Sequence, residues 1–526
     1  MAYKIDEIIA PFWAESGGIS RGRDPLAIQN SSVATYVKLL PGLTNVTTRL
    51  RYYGFYLWVI EEFTKNKFIK NNDNYDEQIK FIRRSELILA FITRINFDKV
   101  NGISGSLYAS QQIKIGDASS FYDIAYGADR GRTNTYWGLS TGAFGQYYIG
   151  VLKFLHLINE PTDFTDYNIY LNSSKGRKLA EEFDKNIPAK QKELFFQSVI
   201  NGKLNKNEIP EFQNFSLAEI PYNTGEWKFY IEMVLNKDDI SEYDAFNHTF
   251  RKQTVKLFLQ YIKDSPEKSN REEFLNYLYN RRTIEDLENN KAFTGWYYYK
   301  VNELMHDAYE TIFCSFLFKL EEQKFSVDLK WLISELKKDT FRFIKEEFAI
   351  KNPEAFLFKE LITLLKKTET GTLQEQATEG YNEGNYGKSI SYSLHLIIAV
   401  YEENKINLNR LYDFALKNNV ERNGYIKQLV EELILLKKEL TLDEYLDFIL
   451  YKAINDHIYS SFQKFNIGQA EVQTFLMEDS HVRFLREINP SPTTPRIQIL
   501  HSFLIDLKLI DGNKLTPIGS EILNQL

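Results

Sequence analysis

The sequence predicts a mainly helical, multidomain protein, and three observations carry that prediction. Apolar residues recur at i, i+3, i+4 and i+7 over long stretches, the spacing that lines one face of a helix. Proline, which breaks helices, occurs only 13 times in 526 residues. Period-two runs of the kind that form half-buried strands are short and few. At roughly 150 residues per domain the chain holds three or four domains, and it is long enough to bury a large core.

In order, Ser85–Arg94 (running on to Phe97), Lys252–Lys263, Glu272–Arg282, Trp296–Glu322, Leu329–Phe348, Glu360–Lys367, Ser389–Glu403 and Glu431–Lys438 carry helical spacing, wholly or in part. Asn168–Leu171, Val472–Leu476 and His481–Leu485 alternate and read as strands of small hairpins. The longest apolar runs, Phe55–Ile60 and Leu394–Val400, fall well short of the ~18 residues that span a bilayer, so they read as core. The start, Met1-Ala2-Tyr3-Lys4-Ile5-Asp6, carries charge early and lacks an apolar secretory core. A single cysteine, Cys314, excludes a disulfide framework and a Cys-ligated cluster. With 43% apolar and 26% charged residues the composition is that of a folded chain. The expectation is a cytoplasmic protein with no membrane partner.

One internal repeat is visible. Tyr148–Ile158 and Leu500–Ile510 align so that Leu152, Leu155, Leu157 and Ile158 match Leu504, Leu507, Leu509 and Ile510. A polar connector follows each run. Beyond it stand Leu171-Asn-Ser-Ser-Lys-Gly176 and Leu515-Thr-Pro-Ile-Gly519. The pattern is an amphipathic helix, a short hairpin and a final helix capped by Ser or Thr. Thr516-Pro517 supplies an N-cap and a first-turn proline.

This pattern resembles the winged-helix family of helix-turn-helix domains, whose members end on a helix, Leu-Ile, a wing and an L-T-x-x-G-x-x-L segment. The resemblance implies one such module at the C-terminus and another near residues 80–186. It implies a recognition helix over Thr493–Leu507 with Arg496 near its start, and it makes Arg130, Arg132 and Gln146 candidate contacts in the first copy. Winged helices also dock proteins, so the pattern alone does not establish DNA contact. Four blocks follow: an aromatic, basic segment over 1–60, a helical region ending in a winged helix over 61–186, a helical middle over 187–450, and a C-terminal winged helix over 451–526.

Charge is uneven along the chain. The total is 64 Lys and Arg against 71 Asp and Glu, a net −7, yet three stretches are basic: Ser16–Ile60, Tyr126–His156 and His481–Lys508. That is the distribution of an acidic body with a local anionic contact. It makes Arg21, Arg23, Arg49, Arg51, Arg130, Arg132, Arg496 and Lys508 the candidate DNA-binding residues. The bland alternative is that Tyr52, Tyr53, Phe55, Tyr56 and Trp58 are core and that Arg49 and Arg51 pair with acids.

Arg21 to Ser32, Leu39 to Thr47 and Arg49 to Tyr53 together read R-G-x-D-P-L-x-x-Q-N-S-S, L-L-P-G-x-T-N-V-T and R-x-R-Y-Y. Further points are Gly295 to His306 and Thr494 to Arg496. The set resembles a family of uncharacterised bacterial proteins associated with multi-gene anti-phage defence islands. The resemblance implies partnership with nucleases or ATPases. It carries over no catalytic residue.

No enzyme signature emerges, and no cofactor is expected. Glu303, His306 and Glu310 share a helix face, but a di-iron bundle needs a second Glu-x-x-His on a helix, and the other, Glu478 to His481, lies in a turn. Gly384-Asn-Tyr-Gly387-Lys388-Ser389 lacks the upstream glycine of a phosphate loop, because Asn382 stands there. Glu211, Glu226 and Lys228 loosely mimic a metal-dependent nuclease, but Glu226 follows a turn rather than a strand. Cys314 sits in an apolar helix and reads as an inert thiol. Trp296 to Tyr299 suit either base stacking or packing. The leading expectation is a non-catalytic DNA-contacting and assembly subunit. The alternatives are a protein scaffold for a partner ATPase or nuclease without DNA contact, and a cryptic metal-dependent nuclease.

Overall fold

A computed structural model describes residues 24–65, 75–97, 99–116, 119–131, 133–159, 169–235, 242–265, 271–281, 290–364, 369–466 and 472–526. Helices dominate. In chain order the principal elements are α1 (Asn30–Leu39), α2 (Arg51–Lys65), α3 (Tyr75–Asn96), α4 (Ile149–Phe154), β1 (Ile158–Asn159), β2 (Leu171–Asn172), α5 (Ser174–Lys185), α6 (Gly225–Leu235), α7 (Lys291–Glu321), β3 (Val327–Asp328), α8 (Leu329–Phe348), α9 (Tyr386–Asn404), α10 (Leu442–Asn466), β4 (Phe475–Glu478), β5 (His481–Phe484), α11 (Ile497–Asp506), β6 (Ile510–Asp511), β7 (Lys514–Leu515) and α12 (Pro517–Gln525). No helix among the described residues is long and apolar enough to cross a membrane.

The chain divides into two units, and neither is continuous. One comprises Met1–Leu39 with Leu275–Pro495, and the other Leu40–Phe274 with Arg496–Leu526. This departs from the four sequential blocks at 1–60, 61–186, 187–450 and 451–526. The reason is long-range packing that periodicity does not report. Tyr53 meets Phe503 edge-on at 6.1 Å, and the Trp227 indole Nε1 donates to the Leu507 carbonyl at 2.9 Å. Residues 496–526 therefore complete the core begun by 40–274, while 451–495 belong to the other unit.

In the first unit α7 is the central element. Asn290 caps it by accepting from the Phe293 N–H at 3.0 Å. All of its residues from Ala292 to Leu317 are buried, polar ones such as Asn302, Glu303, His306 and Glu310 among them, as expected of a helix packed on every side. Helices α1, α9 and α10 pack on it. Asp328 caps α8 through the Trp331 N–H at 3.0 Å. The expected hairpin near 472–485 forms as β4 and β5, with Phe475 opposite Phe484 and Glu478 opposite His481. β3 joins it from more than 140 residues upstream, giving the order β3-β5-β4.

The second unit is built on α2. Its aromatic run is core, with Tyr52, Tyr53, Phe55 and Tyr56 all at 0% exposure. Tyr52 and Tyr56 stack at 5.4 Å, one helical turn apart. Helices α3 and α5 pack against α2.

Candidate functional site

The internal repeat occurs in this second unit as two copies of one local structure. Each opens on a helix ended by a Schellman turn, in which the residue after the C-cap is left-handed. In the first copy that residue is His156 (φ 54°), with His156 N–H donating to Lys153 O at 2.8 Å and Leu157 N–H to Leu152 O at 2.8 Å. In the second it is Lys508 (φ 60°), with Lys508 N–H donating to Ile505 O at 2.8 Å and Leu509 N–H to Leu504 O at 2.9 Å. The leucines that align in sequence are thus the paired apolar ends of the turn.

A two-stranded hairpin follows in each copy. Ile158 pairs with Asn172, and Ile510 with Leu515. A hydroxyl then caps the last helix. Ser173 Oγ accepts from Gly176 N–H and Thr516 Oγ1 from Gly519 N–H, each at 3.0 Å. The same hydroxyls donate back to the left-handed residues' carbonyls, His156 O and Lys508 O, at 2.7 Å. Both glycines are required by close approach. A Cβ on Gly176 would lie 1.9 Å from Leu157 O, and one on Gly519 would lie 2.0 Å from Leu509 O.

The candidate cations fall into three groups. Arg21, Arg23 and Arg132 lie outside the described residues. Arg49 and Arg51 are clasps inside the unit, which corrects their reading as DNA contacts. Arg49 Nη1 pairs with Asp506 Oδ1 at 2.7 Å and its Nε donates to Asn101 O. Arg51 is 2% exposed. It pairs with Glu226 at 2.9 Å, donates to Asn214 O and Ser216 O, and lies 5.0 Å over the Phe183 ring. Burying an arginine demands such full pairing, and a guanidinium so engaged cannot reach a phosphate. Burial pushes the Asp506 carboxyl up to about 7 against the opposing pull of Arg49.

The remaining candidates are at the surface or partly so. Arg130 is exposed, donates Nε to Ser140 O and pairs with Asp76. Gln146 accepts the Trp137 indole N–H at 2.8 Å. Arg496 is left-handed (φ 62°) at the start of α11, so the helix begins at Ile497 and not at Thr493. The exposed positions of α11 are Gln498 and Ile505, with no cation between its ends. Lys508 is exposed.

The three basic stretches leave out a cluster in the first copy. Lys175, Arg177 and Lys178 are all exposed in the opening turns of α5. The signal is legible as Ser-Ser-Lys-Gly-Arg-Lys, but the segment falls outside those stretches.

In the first unit, segments of the N-terminal signature, the Gly295–His306 block and the approach to Thr494 come together in the interior. Asp24 accepts from the N–H groups of Leu26, Ile28 and Gln29 at 2.9–3.3 Å. Gln29 Nε2 donates to Ser491 O at 2.7 Å. Ser31 Oγ donates to Val420 O and lies 2.7 Å from Tyr298 OH. Ser32 Oγ is 3.3 Å from His306 Nδ1, and His306 Nε2 is 2.6 Å from Gly424 O. Glu303 and Glu310 accept from the N–H groups of Thr493 and Ser491. Burial raises the Glu303 carboxyl, but hydrogen bonds led by His306 outweigh it and hold the group below its usual range. Burial pushes Glu310 well up, against the pull of the Ser491 N–H and with the nearby acids Asp24, Asp307 and Glu303 adding to the rise. Gly424 (φ +78°) admits this approach, because a Cβ there would meet Ile28 Cα at 2.3 Å.

These bonds tie the segments together and commit Glu303 and Glu310 to the backbone of residues 491–493. Among the described residues no group of three or more His, Cys, Asp or Glu is disposed to hold a metal ion. Glu226, the would-be nuclease ligand, opens α6 and is committed to Arg51, while Glu211 pairs with Lys190. The Gly384–Ser389 segment is a helix entry, with Asn385 capping Lys388 N–H and Lys388 paired to Glu379 and Glu383. Trp296 to Tyr299 are at most 1% exposed and pack in the interior of the unit. Cys314 is buried and its thiol is pushed well up. No family model, curated protein or solved structure matches the chain.

Proposed function

We propose that the protein is a non-catalytic, DNA-contacting assembly subunit of a bacterial multi-protein anti-phage defence system, and that the two repeat copies are winged-helix modules. The observation that carries this reading is the duplicated helix, Schellman turn, hairpin and capped helix. Lysines and an arginine stand exposed on the first copy, on an otherwise acidic chain. Such cations hold phosphates and set the register of a module on a duplex. The defence context rests on the family resemblance of the signature segments. The scaffold reading is favoured by one observation, the uncharged exposed face of α11, which suits protein docking better than groove entry.

The test is binding of the full-length protein to a labelled duplex across a salt series. Lys175→Glu/Arg177→Glu/Lys178→Glu should weaken binding at least tenfold. The slope of log K against log salt should fall by about 0.9 for each phosphate that the variant no longer neutralises. Lys508→Gly removes a charge at a left-handed position where glycine is unstrained, so a loss of affinity there is not a loss of fold. Absence of binding at low salt overturns the DNA part and leaves the scaffold.

A further inference from the structure

The first copy of the repeat carries a helix in an acid-free stretch of chain. Phe144–Tyr148 form a π-helical turn that runs straight into α4, so the two make one helix of about 16 Å ending at Phe154. Single π-turns of this kind are frequent at functional sites. Gln146 and Gly150 are exposed on it, one turn apart. No Asp or Glu occurs between Asp129 and Glu160, in a chain that holds 71 of them. Asp129 itself is taken by Arg84, which meets both its oxygens, at 2.7 and 2.8 Å. Cations flank the helix. Arg130 lies at its opening, with Nε bonded to Ser140 O. Lys175, Arg177 and Lys178 adjoin its far end, where Ser173 Oγ donates to His156 O and Gly176 rests on Leu157 O.

The Gln146 amide has a fixed direction. An indole N–H only donates, so the atom that Trp137 Nε1 meets at 2.8 Å is the carbonyl oxygen Oε1. Oε1 is thereby turned to Trp137, and the Nε2 donors are left to solvent. Trp137 is fixed in turn. Its carbonyl accepts from Arg83 Nη2 at 3.2 Å and from Thr135 Oγ1 at 2.9 Å, and its ring meets Tyr147 edge-on at 5.4 Å. Arg83 is buried on α3 and also donates to Ala128 O and Leu139 O. Glu86, one turn along α3 and also buried, accepts from the N–H groups of Ala143 and Phe144 at 3.1 and 2.7 Å, and from the hydroxyls of Tyr56 and Tyr136. Two buried charges thus hold the loop and the helix opening in one arrangement, which a directional contact requires. Gly150 has no reason inside the chain. A Cβ there would meet nothing within 4 Å, and its backbone is not left-handed. Glycine in mid-helix is unfavourable relative to alanine, and its use is explained where another molecule's surface comes close to the backbone.

Resting on the DNA-contact reading above, we propose that Gln146 is the base-reading residue of this module and selects guanine in the major groove of a duplex. Trp137 is the positioning residue that fixes its amide, and Gly150 is the bare position that admits the groove wall. Guanine presents two acceptors in the major groove, N7 and O6, whereas adenine presents N7 and an N6 donor. An amide that offers only its N–H groups matches guanine. Reading adenine would need Oε1 as well, and Trp137 holds it back. The helix is longer than the ~12 Å width of the major groove, so the cations at its two ends can reach the phosphates of both strands.

The test selects binding sites for the full-length protein from a random duplex library, then measures the enriched duplex by fluorescence anisotropy across a salt series. The wild-type pool should hold a position where guanine is strongly preferred. Trp137→Phe keeps a ring beside Tyr147 but frees Oε1, and should move that position toward adenine, which Gln reads through N6 and N7. Gln146→Glu, an acceptor only, should move it to cytosine, whose N4 donates. Gly150→Leu should weaken binding at least tenfold with no fall in melting temperature, since its side chain enters open space. A merely structural role for Trp137 or Gln146 would lower affinity for every sequence alike and leave the preferred base unchanged. Salt-dependent binding with no preferred base, or with the same one in wild type and both variants, overturns this assignment and leaves DNA contact standing. No binding by the wild type at low salt overturns DNA contact, and the assignment with it.

Discussion

The two copies of the repeat share a backbone and differ in what their side chains do. In the second, α11 is spent on the interior of its unit. Phe503 packs on Tyr53, the Leu507 carbonyl takes the Trp227 indole, and Asp506 takes Arg49 and the Leu50 N–H. In the first, the position aligned with Asp506 is Phe154, 45% exposed, and the capped helix opens with Lys175, Arg177 and Lys178. Two arginines, separated by one residue, hold the copies. Arg49 clasps Asp506 of the second, while Arg51 lies over Phe183 of the first and pairs with Glu226, which also takes Asn186 beside it. A duplicated scaffold can thus keep its turn chemistry while one copy turns its first helix inward and the other keeps a row of exposed cations.

The sharpest break of this comparison is at the clasps. Arg51→Met should cost about 3–5 kcal/mol, because it strands a fully buried Glu226 carboxylate. Arg49→Met should cost less, about 1–3 kcal/mol, since Asp506 keeps the Leu50 N–H and can take up a proton. Urea unfolding of the two variants checks the order, and equal losses would show that the clasps are equivalent.

Next come the glycines. Gly176→Ala and Gly519→Ala each drive a methyl into a backbone carbonyl, so each should lose about 1–3 kcal/mol, and by similar amounts. A large difference between them, read from melting curves, would mean the copies are alike in pattern but not in rigidity.

A further test separates the copies by pH. The folded Asp506 carboxyl sits at about 7 against an ordinary 3.8, so the folded state keeps a proton that the unfolded chain releases. Its contribution to stability is full below about pH 4 and is lost as pH rises to 7. Asp506→Asn should flatten that part of the fall in melting temperature between pH 4 and 7. Phe154→Asn, at the aligned position of the first copy, should leave the slope unchanged.

Much of the local structure was legible in the sequence. The helical spacing of Leu329–Phe348 is α8 to the residue, and the leucine register near 152 and 504 marked both copies of the turn. Ser173 and Thr516 were legible as caps because a cap is a local bond, three residues long. The candidate DNA-binding residues were less legible. Arg49 and Arg51 looked like a basic pair, because their partners, Asp506 and Glu226, lie 457 and 175 residues away. Lys175, Arg177 and Lys178 were visible but unweighted, since nothing local says that the opening of α5 faces solvent.

What the sequence by itself determined is therefore what depends on neighbours along the chain: helix periods, caps, the Schellman turns and the hairpins that follow them. Only the tertiary structure decided which residues share a unit, so that 496–526 complete 40–274 while 275–495 enclose 24–39. It also decided which charges are consumed. The physical reason is range. Helical and turn preferences act within about four residues and repeat with the pattern, whereas burial and ion pairing depend on whatever segment arrives from elsewhere in the chain.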